Sequence, residues 1–61
     1  MPLIQVSLYE GRTVEQKREF VKEVTAEAAR ILKCPPEAVD IVFQDVKKSD
    51  WGTGGKLASD S

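Results

Sequence analysis

The sequence predicts an α/β fold: a single β-α-β unit with two parallel strands, one long helix and a short C-terminal hairpin, completed by oligomerisation. Three observations predict it. An alternating segment, a helical-period segment of about twenty residues and a second alternating segment follow one another in that order. A connection of that length makes the two strands parallel, with a right-handed crossover. The chain is also only 61 residues long, with 41% hydrophobic residues, one cysteine and no histidine. A domain of that size buries only about 60% of its unfolded surface, and is usually stapled by a disulfide, a metal or association. One cysteine cannot pair within the chain and no ligand cluster exists, so association is the route left. Residues 1–61 read as one domain, without repeats or linkers.

The first strand runs Pro2 to Tyr9, with Ile4, Val6 and Leu8 on one face and Leu3, Gln5, Ser7 and Tyr9 on the other. Leu3 and Tyr9 make the second face more apolar than a water-facing one, which suits a face buried by a neighbour. Glu10-Gly11-Arg12 is a turn, and Thr13-Val14-Glu15-Gln16 is a capping-box pattern. From Val14 to about Lys33, Phe20, Val21, Val24, Ala28, Ile31 and Leu32 recur at helical spacing and form one apolar stripe. Glu15-Arg18, Glu19-Lys22 and Glu27-Arg30 sit three apart and read as a solvated outer face. Pro35-Pro36 ends the helix. Val39 to Val46 is the second strand, with Val39, Ile41 and Phe43 on one face and Asp40, Val42, Gln44 and Val46 on the other. The helix covers one face of this sheet and nothing else in the chain covers the other. In the tail, Gly54-Gly55 turns a hairpin between Gly52-Thr53 and Lys56-Leu57.

Composition removes several classes of function. Nine Lys plus Arg against ten Asp plus Glu give a net charge of -1, which is no footprint for nucleic acid. Without histidine, and with a single cysteine, there is no zinc set and no Ser-His or Cys-His pair. The longest apolar run is three residues, so no membrane span is expected. Glu10 and Arg12 in the first fifteen residues leave no signal-peptide core, and a cytoplasmic location is the expectation. Cys34 has no basic partner in sequence and reads as an inert thiol. Gly52-Thr53-Gly54-Gly55 lacks the strand-turn-helix context of a phosphate-binding loop.

A catalyst without histidine needs another group that titrates near neutral pH. The α-amino group is one, with a reference pKa of about 7.7 to 8.0. The chain starts Met-Pro, and a small second residue permits removal of the initiator methionine, which exposes the secondary amine of Pro2. In an apolar pocket, desolvation and a nearby cation lower such a pKa and make the amine a general base. The bland alternative is that Pro2 simply begins a strand. Arg12 has the fork geometry to bind a carboxylate, and reads equally as a turn arginine paired with a surface acid. About seven strand residues separate it from Pro2, a span of more than about 20 Å, so the two share a site only across a subunit boundary. Trp51, the single tryptophan, stands in a polar tail and reads as a pocket wall near Pro2, an interface anchor, or both.

The order and spacing of these segments resemble the 4-oxalocrotonate tautomerase family over nearly the whole chain. The features are Met-Pro before an alternating strand, Glu10-Gly11-Arg12-Thr13 leading to Glu15-Gln16-Lys17, and Trp51-Gly52-Thr53-Gly54-Gly55-Lys56-Leu57-Ala58-Ser59 at the end. The resemblance implies a β-α-β subunit assembled as a homo-hexamer, a trimer of dimers, with active sites at subunit junctions. It implies a cofactor-independent keto-enol tautomerase, an isomerase with Pro2 as catalytic base and a small enol or 2-oxo acid as substrate. Neither metals nor organic cofactors are implied. On the same resemblance Arg12 of a neighbouring subunit binds a substrate carboxylate, and Trp51 supplies the apolar wall where phenylalanine is familiar. One position departs: Asp40 stands where the family carries a second arginine, which disfavours a substrate with two carboxylates. Two other functions stay open at this point: a non-catalytic assembly subunit, and a haloacrylate dehalogenase, for which Asp50 and Asp60 flank the expected acid position.

Overall fold

Strand β1 spans Leu3–Tyr9, helix α1 Val14–Leu32 and strand β2 Asp40–Val46, in a computed structural model that describes residues 2–60. Met1, whose removal is expected from the sequence, lies outside the described residues. The strands are parallel, in register from Leu3 opposite Asp40 to Tyr9 opposite Val46. Strands β3 (Gly52–Thr53) and β4 (Lys56–Leu57) form the antiparallel tail hairpin. Its turn places Gly54 and Gly55 at φ of 61° and 84°, the left-handed pair that a two-residue hairpin loop requires. Among the described residues, no helix is long and apolar enough to cross a membrane.

Both β strands start one residue later than their sequence pattern suggests. Pro2 has no N–H to donate, and joins the ladder only through its carbonyl, which accepts from the Asp40 N–H at 2.9 Å. Val39 is committed elsewhere: it closes a 3₁₀ turn at Pro36–Ala38, with its N–H donating to the Pro36 carbonyl at 3.1 Å. Short 3₁₀ turns at Lys48–Asp50 and Ala58–Asp60 flank the hairpin, in a stretch the sequence pattern leaves as loop.

Helix α1 begins in the expected capping box. Thr13 Oγ1 accepts from the Gln16 N–H at 3.1 Å, and Gln16 Oε1 accepts from the Thr13 N–H at 3.0 Å. Its other end is not set by the prolines. Lys33 turns left-handed at φ 57° and the Cys34 N–H donates back to the Ala29 carbonyl at 3.2 Å, the six-to-one bond of a Schellman close. Thr13→Ala should lower stability by about 1 kcal/mol per subunit, read as the denaturation midpoint at one fixed protein concentration.

Nineteen helical residues span roughly 28 Å, enough to return along strands of roughly 23 Å. Ile4, Val6, Leu8, Ile41 and Phe43 are half-buried towards the helix. Phe20 meets Phe43 edge-on at 5.7 Å, and Lys17 bonds Asp45 at 2.9 Å, which ties the first turns of α1 to β2. Glu15–Arg18 and Glu27–Arg30 pair at 2.7 Å; Glu19 and Lys22 form no ion pair among the described residues. Such exposed pairs contribute little.

No described side chain is fully buried. The subunit is a plate of 42 × 24 × 13 Å with a radius of gyration of 14.5 Å, where a compact chain of this length has about 10–11 Å. Its accessible surface is 4916 Å², about 1,000 Å² more than a compact monomer of this mass exposes. Large apolar side chains stand in that surface, on the open sheet face that the sequence leaves uncovered and also at the end of the helix stripe, where the sequence pattern places Ile31 and Leu32 on the apolar face. Leu3 and Val42 on the open sheet face are 56% and 50% exposed, and Ile31 and Leu32 at the helix end 61% and 57%.

Candidate active site

The three candidate residues do not meet within one subunit. Pro2 is half-buried at the start of β1, its carbonyl bonded to Asp40. Arg12 lies past the far end of that strand, in the turn before Thr13. There it lines a 160 Å³ cavity between the first turns of α1 and the sheet, together with Val6, Leu8, Gln16, Lys17, Phe20 and Phe43. Lys17 is held by Asp45 and Gln16 by the cap, while Arg12 makes no ion pair among the described residues. Among the described residues the surface-acid alternative finds no partner for its guanidinium.

Trp51 also lies at that far end. It packs edge-on against Tyr9, with ring centroids 4.8 Å apart and planes at 67°. Tyr9 is the last residue of β1 and belongs to the open face, whereas the Arg12 cavity is on the helix side. Arg12 and Trp51 therefore bracket the C-terminal end of the sheet from its two sides. Pro2 sits a full strand away, as the sequence arithmetic expects.

Two residues that sequence patterning passes over are part of this arrangement. Tyr9 carries Trp51 on its ring edge, and the Lys48 ammonium lies 5.4 Å from the same ring's centroid. An aromatic at the end of a polar face is visible in the sequence as an anomaly. Its partner is not, because Trp51 lies more than forty residues further along. The tail of the same chain packs on Tyr9.

Residues 2–61 match the family described as Tautomerase enzyme. The chain belongs to the tautomerase family. A curated relative, a probable tautomerase of Listeria monocytogenes, is 42% identical over 60 residues covering 98% of each chain. The 2-hydroxymuconate tautomerase of Pseudomonas putida is 37% identical over 59 residues, covering 97% of this chain and 94% of its own. Among solved structures, a heterohexamer 4-oxalocrotonate tautomerase from Chloroflexus aurantiacus superposes with a TM-score of 0.90 at 32% identity. That match covers 97% of this chain and 95% of that one. The tautomerase is accordingly an isomerase, and its parallel β-α-β subunit with a tail hairpin is the fold of those relatives.

Proposed function

We propose that this tautomerase converts an enol to its ketone with Pro2 as general base, at a site that two or more subunits build together. The observation that carries the reading is the placement of the candidates at opposite ends of a plate with no core of its own. Pairing of copies about a two-fold axis perpendicular to the strands reverses the strand direction, which brings the Pro2 end of one subunit towards the Arg12 and Trp51 end of another. A homo-hexamer built as a trimer of such dimers covers the open sheet faces as well.

In this reading the removal of Met1 leaves a secondary amine at Pro2. An apolar surround that includes the neighbour's Trp51 destabilises the charged form and leaves a lone pair at neutral pH. That lone pair takes the enol O–H proton, and the electron pair shifts into the carbonyl and the adjoining carbon framework. The same nitrogen then returns the proton to carbon, so that no atom or electron is gained overall. Arg12 holds the substrate carboxylate by paired N–H···O bonds and draws electron density towards it.

Asp40 narrows the substrate. It begins β2 beside Pro2, and a second carboxylate entering there would meet a like charge. A mono-acid enol such as phenylenolpyruvate suits the site better than the dicarboxylate 2-hydroxymuconate. The test is to assay the protein with its mature amino terminus on both: turnover should favour phenylenolpyruvate, and turnover of neither overturns the assignment. Arg12→Ala should lower kcat/KM on carboxylate enols by about 10- to 100-fold, the value of a charge-assisted hydrogen bond. A neutral enol should be affected far less, and an equal loss on it removes Arg12 from carboxylate binding.

A further inference from the structure

We propose that Tyr9 is the positioning residue for Trp51, whose wall it fixes at the shared site; the inference rests on the reading that Trp51 lines that site. Trp51 belongs to no strand or helix of its own. It follows the 3₁₀ turn Lys48–Asp50 and precedes a hairpin whose strands are two exposed residues each. Among the described residues its backbone holds only to the tail itself, by its N–H to the Lys48 carbonyl at 3.3 Å and its carbonyl to the Ala58 N–H at 2.8 Å. Among the described residues, Tyr9 makes the one ring contact that ties this indole to the sheet.

Tyr9 is suited to carry it. It ends β1 opposite Val46, and the next residue closes the ladder, with the Glu10 N–H donating to the Val46 carbonyl at 3.0 Å. Its ring is therefore anchored by the parallel pair. The tail grips that ring twice, through Trp51 at the ring–ring contact and through the Lys48 ammonium near the ring. These two tail residues sit three positions apart on one 3₁₀ turn, so a single rigid turn is seated on one aromatic ring. No hydrogen bond reaches the Tyr9 hydroxyl among the described residues, which assigns the role to the ring and not to its oxygen. A wall that excludes water from an amine must hold its place to do so, and a two-strand hairpin of this size is not stable alone.

The chain has one tryptophan and one tyrosine, so the emission of Trp51 reads this contact without interference. In the full-length assembly, Tyr9→Phe should keep the emission maximum and stay within about threefold of the parent kcat/KM on phenylenolpyruvate, because the ring–ring contact survives. Tyr9→Leu keeps apolar bulk and removes the ring. It should shift Trp51 emission to the red and lower kcat/KM about 10-fold, the upper end of what an aromatic pair contributes, with the assembly size unchanged. Parent-like emission and turnover in Tyr9→Leu overturns the proposal. So does equal damage in Tyr9→Phe, which would give the role to the hydroxyl, and so does dissociation of Tyr9→Leu, which would make Tyr9 an interface residue. If the parent protein turns over no enol, the functional reading fails by itself, and the emission comparison still decides whether Tyr9 holds Trp51.

Discussion

Pro2→Ala is expected to lower tautomerase turnover by about 100-fold or more, the low end of what a positioned general base supplies, and to leave the assembly intact. The ring of Pro2 contributes little to the ladder, since only its carbonyl takes part, in the 2.9 Å bond from Asp40. An alanine keeps that carbonyl, so strand pairing survives. What changes is the amine. A primary amine has a different pKa, and it rotates freely where the pyrrolidine ring holds the lone pair in one direction. The pH profile of the parent protein carries a second arm of the test. If the amine is desolvated, its pKa falls below the ordinary 7.7 to 8.0, and activity rises as the pH passes from about 6 to 7 because the unprotonated form is the base. Turnover should fall on the acid side, where the nitrogen is charged. Full activity in Pro2→Ala, or in protein whose mass shows Met1 still attached, removes this nitrogen from the mechanism.

Val42→Glu is expected to abolish assembly and, with it, the folded state. Val42 lies opposite Gln5 on the open sheet face and is 50% exposed in the subunit. If a neighbour covers that face, a glutamate there buries an unpaired charge, at a cost of about 3–5 kcal/mol at each copy of the site. The isolated subunit cannot absorb such a loss by remaining a monomer. It has no fully buried side chain among the described residues and about 1,000 Å² of excess surface, and in the proposed assembly the energy that offsets its chain entropy comes from contacts between copies. Loss of the oligomer band in size-exclusion chromatography and loss of helical circular dichroism should therefore coincide and depend on concentration. A folded, monomeric Val42→Glu protein would falsify the claim that association completes the fold. Native mass spectrometry of the parent protein reads the number of copies and whether they are identical.

The legible parts of this protein are those written in short-range periods. The alternation of Ile4, Val6 and Leu8, the helical spacing from Phe20 to Leu32, the Thr13–Gln16 box and the Gly54-Gly55 turn each depend on residues within one or two turns of each other. All four appear where the sequence puts them. Errors fall at the ends of elements, where a choice between two hydrogen-bond partners decides the boundary. Val39 continues the strand pattern, yet donates to Pro36. Lys33 is a helix former in composition, yet adopts φ 57° where the Schellman close ends the helix. The candidate site was legible as residue types only. Nothing in the sequence spacing says that Trp51 would lie on Tyr9, or that Arg12 would border a cavity under α1.

The sequence alone determined the order of the elements, their parallel connection, the missing cover on one sheet face and the separation of Pro2 from Arg12. Each of these follows from local geometry: rise per residue, side-chain period and crossover length. Only the tertiary structure decided which side chains are held by the chain's own tail and which are left exposed. Tyr9 is clamped by Trp51 and Lys48, Asp45 is paired with Lys17, and Ile31 and Leu32 of the helix stripe stay exposed. Those contacts join residues far apart in the chain, which no short period in the sequence encodes.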